Sequence, residues 1–224
     1  MAKITWLGHA CFTIEDGIRI IIDPWINGNP ACPVKLKDVP KVDHILITHD
    51  HRDHLGDAFE LAKRDHAKII GIYELADYAR KQGVKQTIGA NIGSWFKVDN
   101  VKYLLTPALH TSNIGSPVGF MIELPNGLVI YHAGDTGLFA ELLFIRELHK
   151  IDVALLPIGG YYTMGPIEAT KAVQILGPRI VIPMHYNTFP LIKQDPYEFK
   201  KLISQIRPDV EVKIMKPGET VEIK

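Results

Sequence analysis

Apolar and polar positions alternate in short runs from the start of the chain. Ile4 to Leu7, Cys11 to Glu15 and Ile18 to Ile22 have strand length, and Asp16-Gly17 between the last two signals a hairpin, so an antiparallel opening is expected. From Gly28 to Lys41, Pro30, Pro33 and Pro40 with lysines between them preclude both a paired strand and a helix and leave a loop. Strand and helix patterns then alternate: strand His44 to Thr48, helix Leu55 to Arg64, strand Ala67 to Ile72, helix Glu74 to Gln82. Short strands return at Gly93 to Val98, Val101 to Thr106, Gly119 to Leu124 and Leu128 to His132, with Pro125-Asn126-Gly127 as a hairpin turn between the last two.

The second half alternates again, with helix Leu138 to Lys150, strand Val153 to Pro157, helix Pro166 to Leu176, strand Arg179 to Pro183 and helix Pro196 to Ile206. Strands Glu211 to Met215 and Thr220 to Ile223 close the chain, and Pro166 and Pro196 stand where a first helical turn tolerates proline. No repeat or linker divides the pattern, so residues 1–224 are expected to form one domain. Hairpins and helices in both halves predict an α/β (α+β) protein with two facing sheets and helices outside them.

Composition narrows the function. At 46% hydrophobic content the chain can bury a sizeable core. Lys plus Arg and Asp plus Glu both total 25, so no net field attracts nucleic acid or an anionic membrane. No apolar run nears the roughly 20 residues of a membrane helix. Two cysteines make no disulfide framework, and Met1 to Phe12 lack the pattern of a secretory signal; a cytoplasmic protein is expected, with Cys11 a small buried apolar residue.

The ten histidines are the unusual count. His44, His66 and His149 sit beside charged or turn residues and read as surface or strand-end histidines. His49-Asp50-His51-Arg52-Asp53-His54 is different: it follows an apolar strand and precedes a helix, where open sheets place ligands. On an extended segment His49 and His51 point to the same side and can hold one ion, and Asp53 and His54 can hold another as the chain turns. Three histidines and an aspartate so close together have no inexpensive structural use, since burying them unpaired is costly. Four donors cannot close two sites, and His110, Asp135 and His185 each follow another strand.

This series resembles the fingerprint of the metallo-β-lactamase-fold hydrolases, and the match covers nearly the whole chain. Trp6-Leu7-Gly8-His9-Ala10, Leu156-Pro157-Ile158-Gly159-Gly160 and Thr163-Met164-Gly165-Pro166 are similar to a subgroup of small stand-alone enzymes related to the ascorbate-phosphate lactonases. The resemblance implies a four-layer αββα sandwich, with His49, His51 and His110 on one metal, Asp53, His54 and His185 on a second, and Asp135 bridging them. It also brings His9 into the site, as an extra ligand or a general acid, and with Asp53 into the catalytic set.

Two divalent ions are then expected. Zinc suits imidazole and carboxylate without thiolate, and manganese, iron, cobalt or nickel fit the same donors. Such a pair makes hydroxide available near neutral pH, so the expected activity is hydrolysis of a small ester, lactone or phosphodiester. A nuclease acting on RNA or DNA is the alternative that this chemistry supports and the neutral charge balance disfavours. Tyr161, Tyr162 and Thr163, after the paired glycines 159 and 160, are the expected substrate contacts. A small molecule is the expected partner, and a homo-oligomer is compatible with the sequence.

Overall fold

The computed structural model describes residues 1–224 and divides them between two seven-stranded mixed sheets. The first contains β1 (Ala2–Trp6), β2 (Phe12–Glu15), β3 (Arg19–Ile22), β4 (His44–Leu46), β5 (Lys68–Ile72) and β6 (Thr87–Ala90), in that spatial order. The C-terminal strand β14 (Thr220–Ile223) lies beside β1 and completes this sheet. The second runs β7 (Phe96–Val98), β8 (Val101–Pro107), β9 (Val118–Glu123), β10 (Val129–His132), β11 (Val153–Pro157), β12 (Ile180–Met184) and β13 (Glu211–Val212).

Both sheets follow one plan. Hairpin-linked strands pair antiparallel, β1 to β3 in one sheet and β7 to β10 in the other; the strands that follow, joined by crossovers, pair parallel. A single buried apolar cluster joins residues such as Ile20 and Ile45 of the first sheet to Phe120 and Leu155 of the second, so the sheets face each other across one core. The helices are α1 (Arg52–Leu55), α2 (Ala58–Asp65), α3 (Tyr73–Lys81), α4 (Leu142–Leu148), α5 (Pro166–Leu176) and α6 (Pro196–Ile206). The result is the expected metallo-β-lactamase architecture. Pro166 and Pro196 do open helices, and Asp195 caps α6 by accepting from the Tyr197 amide at 2.9 Å.

Several boundaries differ from the sequence pattern for local reasons. The single helix expected from Leu55 to Arg64 is two, broken at Gly56, where φ is +43° and an added Cβ would lie 2.5 Å from the Pro24 carbonyl. Asp57 then turns outward to accept from the Ile26 and Asn27 amides at 2.9 and 2.8 Å, which fixes the chain after β3. Helix α4 begins later than Leu138, strand β13 ends at Val212, and β6 lies on Thr87–Ala90, where no strand was expected. His44 is a correction: it is fully buried between Tyr103 (2.6 Å to Nδ1) and Asp99 (2.8 Å to Nε2), partners remote in sequence. His66 is exposed at the left-handed C-cap of α2, and His149 is half-buried against Trp95. No helix is long and apolar enough to cross a membrane.

Candidate metal centre

Strand direction explains why residues scattered from position 9 to position 185 meet. β1, β3 and β4 run the same way in the first sheet, as do β8, β10 and β12 in the second. His9 follows β1, Asp23 follows β3, His49 to His54 follow β4, His110 follows β8, Asp135 follows β10 and His185 follows β12. Every one of them leaves the carboxyl end of a strand.

Three overlapping groups result, in each of which the donor atoms lie within 4.8 Å of one another: His49, His51 and His110; His9, Asp53, His54 and His185; and His49, His54 and Asp135. Asp135 stands between the first two. Its Oδ2 is 3.2 Å from His54 Nε2, 3.0 Å from His185 Nε2 and 3.6 Å from His110 Nε2. His49 Nε2 and His51 Nδ1 converge to 2.9 Å, and His9 Nε2 is 3.0 Å from Asp53 Oδ2.

A further set of side chains orients these. Asp23, fully buried, accepts from the Thr48 amide at 2.8 Å, the Thr48 hydroxyl at 2.7 Å and His54 Nδ1 at 2.7 Å, leaving His54 Nε2 aimed at Asp135. Asp50 accepts from Ser112 Oγ and the Asn113 amide, and so ties down the loop that carries His110. His132 Nε2 donates to the Ala10 carbonyl at 2.9 Å while its Nδ1 accepts from the Gly134 amide at 3.1 Å, a pattern that only one neutral tautomer satisfies. Gly134 has φ +63°, and a Cβ there would come 2.7 Å from the Val118 carbonyl and 3.1 Å from Thr48, so only glycine lets the Asp135 loop approach β4 this closely.

The electrostatics are those of a cation site. Burial, then the neighbouring His185, lowers His9 to about 4, and burial lowers His49 to about 3. For His54 burial acts in the same direction, but Asp135 and Asp23 on either side outweigh it and hold the ring well above an ordinary histidine. Burial would raise Asp135, yet His185 and His54 keep it far below the usual carboxylate range; Asp53 is held low in the same way by His9 and His54.

The donor set fits divalent ions. His54 Nε2, Asp135 Oδ1 and both ring nitrogens of His185 are buried without a hydrogen-bond partner. Native proteins rarely leave such groups unsatisfied, and here most of them face the same small space. The only donors are imidazole nitrogen and carboxylate oxygen; Cys11 is buried and Cys32 bonds the Val34 carbonyl at 3.5 Å. A cavity of about 900 Å³ opens over this cluster, with His51, Asp53, His110, Asp135 and His185 in its lining.

Residues 18–186 match the family model described as the β-lactamase superfamily domain. The chain belongs to that superfamily. A metal-dependent hydrolase of the UPF0173 group from Caldivirga maquilingensis is 55% identical, the alignment covering 100% of this chain and 99% of that protein. Another from Pyrobaculum islandicum is 54% identical over 99% and 100% of the two chains. The structure of Igni18, a metallo hydrolase from the hyperthermophilic archaeon Ignicoccus hospitalis, superposes with a TM-score of 0.93 at 46% identity, covering 100% and 99%. This superfamily member is thus a metal-dependent hydrolase with the metallo-β-lactamase fold.

All seven expected donors and His9 come together in the one cluster. Among the expected substrate contacts, Tyr162 lines the cavity. Tyr161 and Thr163 do not: Tyr161 is 75% exposed with its ring against Tyr162, and Thr163 bonds the Met164 carbonyl. Sequence reading missed Trp25, Arg52, Phe189 and Leu191 in the cavity wall, and Asp23, Asp50, His132 and Thr188 behind the donors. In the sequence Asp23 shows only as the residue that ends an apolar strand before Pro24, which by itself assigns it no role in the site.

Proposed function

We propose that this hydrolase holds two divalent ions, zinc being the best match to the donors, and cleaves a small ester, lactone or phosphodiester. His49, His51 and His110 would hold one ion, Asp53, His54 and His185 the other, with Asp135 shared between them. The observation that carries the reading is the set of buried, unpartnered atoms on His54, Asp135 and His185, beside which His49, His51 and His110 form a further donor group that meets the first at His49 and Asp135. A bound pair supplies Lewis acidity for the oxygen of a carbonyl or phosphoryl group and lowers the pKa of water toward roughly 7.

The protein's own residues set that chemistry up. Asp23 holds the His54 tautomer, and Asp50 and His132 hold the loops of His110 and Asp135. His9, neutral at pH 7, has one N–H to give. With Nε2–H donating to Asp53 and Nδ1 accepting from Thr188 Oγ at 2.9 Å, it satisfies both neighbours and fixes the carboxylate. Of the two roles expected for His9, a general acid is disfavoured, because a ring at about 4 holds no second proton at neutral pH. His9 is a positioning residue in this reading. In His9→Ala, affinity at the Asp53 site should fall about 10-fold or more while the His49 site keeps its ion; equal loss at both sites would contradict it.

The test is elemental analysis of purified protein beside a screen of esters, lactones, phosphodiesters and oligonucleotides, with and without chelator. Activity that disappears with the metal and returns on adding it back supports the proposal. Activity indifferent to chelation refutes it.

A further inference from the structure

The cavity wall says more about the substrate than the donors do. Trp25 and Phe189 stack at 5.7 Å between ring centroids, and Leu191 and Tyr162 continue the apolar surface, 55% and 49% exposed. Against this wall stands one permanent cation, Arg52, which lines the same cavity. Its side chain is exposed, with no ion pair or hydrogen bond, and the adjacent Asp53, which lines the same cavity, is bonded to His9 at 3.0 Å and not to Arg52. Arg52 opens α1 directly beside the donors His51 and Asp53, so backbone geometry keeps it at the edge of the reacting centre. About 900 Å³ suits a small molecule.

Resting on the hydrolase reading above, we propose that the substrate is an amphipathic acid. Its apolar body lies on Trp25, Phe189 and Leu191, and an anionic group separate from the scissile bond is held by Arg52. A guanidinium left unpaired on an apolar rim is matched by a carboxylate or phosphate, which it grips with two parallel hydrogen bonds. The same wall gives a bare anion too little contact.

The probes are 4-phenylbutyrate, the uncharged 4-phenylbutanol and acetate, titrated by calorimetry into metal-loaded wild type, Arg52→Gln and Arg52→Lys. Wild type should bind phenylbutyrate about tenfold or more tightly than either of the others. Arg52→Gln should lose the preference for the acid over the alcohol, and Arg52→Lys should keep part of it; circular dichroism checks that these exposed-site variants fold. Equal binding of acid and alcohol by wild type, or no binding of either, overturns the proposal. So does a preference undiminished in Arg52→Gln, which would assign the anion to the metal ions. Turnover is read separately with 4-nitrophenyl hydrogen succinate and 4-nitrophenyl butyrate: failure to cleave either counts against the hydrolytic reading for esters, while the titration still decides the substrate class.

Discussion

Asp23 never reaches the cavity, yet the Thr48 amide, the Thr48 hydroxyl and His54 Nδ1 all converge on its two oxygens. Its left-handed backbone, φ +46°, turns the carboxylate under the histidine segment. Asp23→Asn keeps the size but gives an amide that can donate toward His54 and scramble its tautomer. Metal affinity should drop about 10–100-fold, read by competition with a chromophoric chelator, with little change in folding. Unchanged affinity would remove Asp23 from the account. The donors themselves were legible because their spacing is local and chemically odd. Asp23, Asp50 and Thr188 were not, because a single aspartate or threonine in a loop has ordinary uses as a turn or cap. Arg52 lay within the histidine segment but is no metal donor, so the chemistry that singled out its neighbours passed it over.

At the scale of elements, hairpins and most helices could be read from turn residues and periodicity, whereas breaks set by tertiary contact could not. Gly56 looked like an interior helix residue; it is a boundary because the chain after β3 fills the space a Cβ would need, with the Trp25 α-carbon 2.6 Å from that point. Strand β6 escaped notice because Gly89 interrupts it, and that glycine is demanded by Tyr73, whose Cα would lie 3.0 Å from an added Cβ. Gly56→Ala should therefore cost about 1–3 kcal/mol in thermal or urea unfolding, and disturb Trp25 next door. Full stability in that variant would mean that the α1–α2 break is not sterically fixed.

For the molecule as a whole, His44 joins the two sheets: it lies on β4, accepts from Tyr103 of β8 and donates to Asp99, which also pairs with Lys68 of β5. Burial lowers its pKa despite Asp99, so the folded protein keeps it neutral where the unfolded chain takes a proton. Its contribution to stability is thus complete above about pH 6.5 and declines as the pH falls below that value, by at most about 1.4 kcal/mol per unit. His44→Gln should flatten the acid limb of a stability–pH curve between pH 7 and 5 relative to wild type; parallel curves would contradict the assignment. The two-sheet architecture itself was legible, because both halves alternate hairpins with crossovers. The contact between sheets that buries His44 was not, because it joins positions far apart in sequence.

Whether two ions lie at the carboxyl ends of these strands decides the rest. Anomalous scattering at the metal edge from crystals of the purified enzyme measures this directly. Two peaks are predicted, one among His49, His51 and His110 and one among Asp53, His54 and His185, with Asp135 between them and hydrolysis lost when both are stripped. A single peak, or none in a preparation that still hydrolyses its substrate, would contradict the account.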